Sequence, residues 1–322
     1  MPVEQPGAGD SHVNQLLTNV SVGYKNEEYI VDQIFPEVLV EKRSDIVPEY
    51  GKSAWARDEA KELGEREAAP VGGYTTDVTK TYYCKEKGFG HFISDARRKN
   101  TDRPFDADID GTEFVTDKLA LNRERTFVAG FWKTGVWGTD ASITKWSTYA
   151  TSTPIQDIRT AARAIRRALM GKKANTLVLG DLVYDVLCDH PSILDRIKYS
   201  SSSSQPAMAT PALMAQLFGV ERVLVGTSMY TASPEGTAEA SVTYVSNFDD
   251  DALLLYVANR PSLWTPTAGY TFTWRTAMGG PRLIKKRRDP MTDKGDLIEG
   301  YQYFDMHQIA KEAGVFFSDA AD

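Results

Sequence analysis

Between Thr112 and Ala129 the sequence holds neither proline nor glycine, inside a longer stretch, residues 103–134, that reads RPFDADIDGTEFVTDKLALNRERTFVAGFWKT. Its pattern predicts one long helix over about 110–133. Asp110 stands where an N-cap belongs, and Glu113 three residues on completes a capping-box spacing that would satisfy free backbone N–H groups. On a helical wheel Phe114, Leu121, Val128 and Trp132 share one side. Ala120, Phe127 and Phe131 form a second, and Val115 with Leu119 a third. A helix that is apolar on several sides needs several partners, so this one is expected to be a central strut.

The stretch that precedes it has the opposite problem. From Ser53 to Ala69 the chain carries Arg57, Asp58, Glu59, Lys61, Glu62, Glu65, Arg66 and Glu67, and no apolar face survives. Strand-like runs flank it, Val38 to Val40 and Ile46 to Tyr50 before, and Tyr74 to Tyr83 after. Together they predict a long hairpin around an exposed tip, with little core of its own. Ordering backbone costs about 1–2 kcal/mol per residue, and an isolated hairpin is marginal in water. Something outside the hairpin must cover it, and a neighbouring copy of the chain is the expected cover.

Composition changes again at Thr153-Pro154. Threonine as cap, proline at the first helical position and Gly171 at the end bracket a helix with Ile155, Ile158, Ile165 and Leu169 inward. Arg159, Arg163, Arg166 and Arg167 point outward from it. Strands and helices then alternate as far as Val257, with Val242 to Val245 among the strands, which predicts a compact α/β unit. Beyond it, Tyr270 to Arg275, Arg282 to Lys286, Leu297 to Phe304 and Val315 to Phe317 read as strands. They find partners of their own kind only near the strut and the first strands. The fold class is therefore α+β.

Little in the chain speaks of chemistry. In 322 residues, 37 lysines and arginines face 44 acids, a net charge of −7 that argues against wholesale duplex binding. Cys84 and Cys188 lie far apart without ligand-like neighbours. The start lacks the features of a signal peptide, and no run is long and apolar enough to span a bilayer, so no membrane contact is expected. Asp106, Asp108, Asp110 and Gly111, with Asp117, match part of a calcium loop. Glu113 stands where that loop wants an apolar residue, and helix capping explains the same acids without a metal. His12, His91, His190 and His307 form no ligand pair, and no nucleophile elbow or phosphate loop is present. No catalytic residue, cofactor or metal is assigned, and the chain is not expected to be an enzyme. The strongest basic cluster is Arg282, Lys285, Lys286, Arg287 and Arg288. A solvated turn, a nucleic-acid contact or a partner for acids on another copy would each explain it. The last ranks first, because Asp58, Glu59, Glu62, Glu65 and Glu67 of the hairpin tip need covering.

Three segments carry a resemblance. LLTNVSVGYKNEEYIVDQIFP at Leu16–Pro36, GFGHFISDARRKN at Gly88–Asn100 and DGTEFVTDKLALNRERTF at Asp110–Phe127 resemble the arm, hairpin exit and spine of major capsid proteins of tailed bacteriophages. The resemblance implies the Hong Kong 97-like phage capsid fold. It would comprise an N-terminal arm (1–37), an extended β-hairpin loop with flanking strands (38–87), a peripheral domain holding the long spine helix (88–153 and 265–322) and an inserted axial α/β domain (154–264). It further implies hexamers and pentamers of one chain in an icosahedral shell around double-stranded DNA, touched non-specifically on the inner face. Such a shell is built in the bacterial cytoplasm and persists in the virion. A portal, a separate scaffold protein and decoration proteins are the partners implied. Some relatives crosslink through a lysine and an asparagine, and no motif selects either residue here. A bacterial nanocompartment shell, which resembles phage capsids, is the alternative.

Overall fold

The computed structural model describes residues 12–13, 29–47, 49–50, 56–100, 106–200, 209–261, 265–275, 280–291 and 294–322. The predicted strut is a helix of 25 residues, Ala107–Phe131. Its cap is Asp106 and not Asp110: the Asp106 carboxylate accepts from the Asp108 N–H at 2.9 Å, and Asp110 lies within the first turn, donating its own N–H to Asp106 O. Asp108 and Asp110 thus sit where the helix dipole favours anions. The three apolar sides reduce to one buried stripe. Gly111, Val115, Leu119, Arg123 and Phe127 recur every fourth residue and are all buried, whereas Phe114 is 43% exposed. The helix lies along a sheet through most of its length, and a sheet covers only one face. Two buried threonines in the stripe bond backwards, Thr112 to Asp108 O and Thr116 to Thr112 O, each at 2.7 Å, so neither hydroxyl is orphaned.

The sheet beneath the spine is built on one strand of 14 residues, Gly295–Gln308. Its burial alternates, with Ile298, Gly300, Gln302, Phe304 and Met306 inward, the period of two expected of a strand with one face on a core. Lys85–Ser94 runs antiparallel along it from Phe304 to Gly295. Arg282–Arg288 and Gly269–Trp274 are also antiparallel to it, as the sequence predicted for the returning strands. Glu37–Val40 adds in parallel to Gly269–Trp274, and His12–Val13 covers the edge of Arg282–Arg288. Spine and sheet approach closely because glycines face each other's side chains. A Cβ on Gly300 would lie 2.6 Å from Val115 Cγ1, and one on Gly111 would lie 2.8 Å from Ile93 Cδ1. Ile93, Val115, Leu119, Ile284 and Ile298 fill the space between.

The second sheet has the order Arg222–Gly226, Thr176–Gly180, Ala252–Leu255, Gly314–Phe317, Thr139–Ala141. Its three central strands, TLVLG, ALLL and GVFF, are buried throughout, as continuous apolar runs covered on both faces must be. The bounds 154–264 leave out two of these strands: the chain supplies Thr139–Ala141 on its way in and Gly314–Phe317 on its way out. Around residue 245 the expected strand is Tyr244–Ser246, and it pairs with Met229–Thr231 in a separate ribbon. Thr210 accepts from the Leu213 N–H, and Gly219 at φ 73° ends the helix Pro211–Phe218. The end of the spine enters this domain. Trp132 donates from Nε1 to Phe248 O at 3.0 Å, and its ring meets Phe248 and Phe316 edge-on at 4.9 and 5.5 Å. From the N-terminal side, Val31–Ile34 forms a short helix, after which Phe35 packs on Phe127, Phe131 and Trp137. Of the extended arm expected over 1–37, residues 1–11 and 14–28 lie outside the described residues, and Val31–Ile34 is helical where an extended chain was expected.

Candidate assembly interface

The predicted hairpin is present as a ladder. Ser44–Ile46 pairs with Thr81–Tyr83, and farther out Glu49–Tyr50 pairs with Thr76–Asp77. Its base is held firmly: Tyr82 stacks on Phe272 at 4.7 Å, and Val47, Tyr82, Cys84, Tyr270 and Phe272 make a small core. Burial, with Asp305 nearby, pushes the Cys84 thiol up to about 11, so it stays protonated as a packing group. Outward from that base every residue from 56 to 81 is exposed. Val71 is 97% and Tyr74 55% exposed, and Asp58, Glu59, Glu62, Glu65 and Glu67 all face solvent. Contacts within the tip are local: a weak pair between Arg57 and Glu59 at 3.7 Å, and a turn in which the Glu67 N–H donates to Gly64 O at 3.0 Å and the Glu67 carboxylate accepts from the Gly64 N–H at 3.4 Å.

The basic cluster is already engaged inside its own subunit. Arg288 bonds both carboxylate oxygens of Asp95, at 2.8 and 2.6 Å. Lys286 lies between Asp108 and Asp296 at 2.5 and 3.5 Å, and Arg98 bridges the same two acids at 2.8 and 2.9 Å. Arg287 holds Glu299 at 2.7 Å, Lys285 lies over the Tyr301 ring, and Arg282 shares the surroundings of Arg123, Asp32 and Glu37. Burial alone would raise Asp108, but the bonds from Lys286 and Arg98 outweigh it and leave the carboxyl below its usual range. Partly exposed pairs of this kind contribute about 0–1 kcal/mol each. As a network they staple the start of the spine to strand Arg282–Arg288 and to helix Asp95–Asn100. Tip acids of another copy would have to compete with these bonds. The same network answers the calcium-like pattern, since Asp108 is held by two cations and Asp106 by the cap. Among the described residues no group of three or more His, Cys, Asp or Glu is arranged to hold a metal.

Sequence reasoning missed the charged pair halfway along the spine. Arg123 and Glu124 are both buried on the stripe that otherwise faces the core. Arg123 reaches Asp32 at 3.0 Å and Glu37 at 3.1 Å. Glu124 accepts from the N–H groups of Ile30 and Val31 at 3.4 and 3.2 Å and from the Ser228 hydroxyl at 3.4 Å. One carboxylate thereby ties the N-terminal segment to the long helix and to the loop that holds Ser228. The signal was available: adjacent charges interrupt a four-residue apolar period, and buried charges need partners.

Burial, reinforced by the charge on Asp32, pushes Glu124 up to about 7. Because the folded state holds this proton more tightly than the unfolded chain, its cost is absent below about pH 4.5 and fully felt above about pH 7. Stability should therefore fall as pH rises through that window. Glu124→Gln keeps the shape and one of the two acceptor oxygens and removes the titration. Urea midpoints at pH 5 and pH 8 should show the variant losing roughly 2–3 kcal/mol of the wild-type pH difference. An unchanged difference would mean the carboxylate is not the group that titrates.

Comparison with known proteins fits this geometry. No family model matches the sequence. The major capsid protein of Burkholderia phage BcepMu is 24% identical over 330 aligned positions, covering 95% of this chain and 96% of that one. A phage-related protein from Bordetella bronchiseptica superposes with a TM-score of 0.74 at 20% identity, over 96% of this chain and 98% of the other. The capsid protein of cyanophage P-SCSP1u follows at a TM-score of 0.56 and 9% identity, over 90% and 87%. This chain has the Hong Kong 97-type capsid fold. We propose that, in capsid terms, Ala107–Phe131 is the spine helix, the sheet beneath it the peripheral domain, the Thr176–Gly180 sheet the axial domain, and the hairpin the extended loop.

Proposed function

We propose that this chain is the major capsid protein of a tailed phage, assembling as hexamers and pentamers into an icosahedral shell that encloses double-stranded DNA. The observation that carries the reading is the extended loop: residues 56–81 are exposed and have no core in their own subunit, so their natural cover is a neighbouring copy. A capsid fold that spans nearly the whole chain supports it, as does the likeness to a phage major capsid protein from end to end. On this reading the chain acts through its interfaces. Asp58, Glu59, Glu62, Glu65 and Glu67 of the loop are proposed subunit contacts, with the strand Arg282–Arg288 as the surface they approach. A separate scaffold and a portal complete the particle, which is assembled in the bacterial cytoplasm and released as the virion shell.

Negative-stain microscopy of the expressed chain, alone and with its scaffold, tests the proposal. Closed shells are expected. A small soluble oligomer under every assembly condition would overturn it, and shells filled with a protein cargo in place of phage DNA would move the assignment to a nanocompartment.

A further inference from the structure

The axial helix Pro154–Ala168 carries a charge pattern that the assembly reading leaves unused. Its buried side, with Ile155, Ile158, Ala161 and Ile165, faces the axial core. Arg159, Arg163, Arg166 and Arg167 fall on the opposite side at spacings of four, three and one, and all are exposed. Lys172 and Lys173, just beyond the turn at Gly171, are exposed as well. The only acid on the helix, Asp157, is turned to Trp146 Nε1 at 3.1 Å and to the Thr153 hydroxyl at 3.2 Å. Among the described residues none of the six cations is ion-paired, in contrast with the cluster at Arg282–Arg288.

We infer that this face binds the phosphate backbone of duplex DNA, without sequence preference. A helix rises about 1.5 Å per residue, so Arg159 to Arg167 spans about 12 Å. Along duplex DNA that length presents about seven phosphate charges. Four of the six cations are arginines, whose planar forks suit phosphate oxygens. The patch is uniform in sign, as the polyanion is. The loop tip is a poorer match, because Arg57, Lys61 and Arg66 are interspersed among its five acids. On a chain of net charge −7 a local patch is also the way in which contact with DNA can be made attractive. The inference rests on the capsid reading for the source of the duplex, and it requires this helix to face the shell lumen.

The test uses the full-length chain and a variant carrying Arg159→Gln, Arg163→Gln, Arg166→Gln and Arg167→Gln, all at exposed positions. Each is titrated with a fluorescent duplex of mixed sequence between about 50 and 200 mM KCl. The wild type should bind with a log–log salt slope of about −4 to −5, and the variant should lose at least about tenfold in affinity and about three to four of that slope. Equal affinity and slope for the two proteins, or no binding by either, overturns the inference. A peptide spanning residues 56–75 that displaces the duplex when merely stoichiometric with the protein also overturns it, since the face would then be a dock for the loop. The variant should still form shells. If it does not while the wild type does, the face is a subunit interface and the inference fails. If neither protein forms shells the capsid reading fails, and the titration still decides about the stripe.

Discussion

Replacing residues 57–73 with a short Gly-Ser link is expected to abolish shell formation and to leave the subunit's thermal midpoint within about 2 °C of wild type. Both halves follow from the loop's position. Every residue removed is exposed, so no core is opened, and the anchoring contacts at Val47, Tyr82 and Cys84 are kept. What is lost is the surface that a neighbour is proposed to cover. Native mass spectrometry and negative-stain imaging would read the assembly, and a thermal melt the fold. A loopless chain that still closed into shells would show that the loop decorates the particle and does not hold it. A melt lowered by ten degrees would show that the tip packs on its own subunit.

Trp132→Ala should destabilise the chain by about 3–5 kcal/mol, the range for emptying a buried large aromatic site. Trp132 is 6% exposed and lies where the spine leaves the peripheral sheet. Its ring contacts Phe248 and Phe316 on the axial side, and its indole N–H is the donor to Phe248 O. Truncation removes that packing and takes the donor from a buried carbonyl. Urea unfolding would measure the loss, with Phe114→Ala as the control on the same helix, where a change within about 0.5 kcal/mol is expected at an exposed site. A loss at Trp132 no larger than at Phe114 would mean that the end of the spine is not anchored in the axial core.

Much of this architecture was legible in the residues. A spine without breakers, a hairpin without a core and strands that return late are each properties of local pattern, and each is present. The sequence places the cap one turn too late because three aspartates, Asp106, Asp108 and Asp110, precede the apolar run and each is a suitable cap; Asp106 serves because its backbone is extended. The three-sided reading of the spine counted apolar residues and missed that Thr112, Thr116, Arg123 and Glu124 are buried. The threonines bond their own helix backbone, while Arg123 and Glu124 find partners distant in sequence, and a wheel weighted by hydrophobicity cannot see either. The basic strand was read as unoccupied for a similar reason. Asp95, Asp108 and Asp296 come from three separate segments, and the sheet is what brings them to Lys286, Arg98 and Arg288.

The pairing of Gly314–Phe317 with Thr139–Ala141 has a consequence for timing during synthesis. More than half the chain's length separates these strands, and Gly314–Phe317 also closes the exposed side of Ala252–Leu255. The peripheral sheet waits in the same way for Gly295–Gln308, on which its other strands are hung. Neither sheet can therefore close on a ribosome until almost all of these residues have emerged. Contacts so distant in sequence also make folding slow. A nascent chain would carry an extended loop but no finished surface for a neighbour's loop to lie on. Only completed subunits could join a growing shell, and premature association of fragments on one polysome would be suppressed by topology alone.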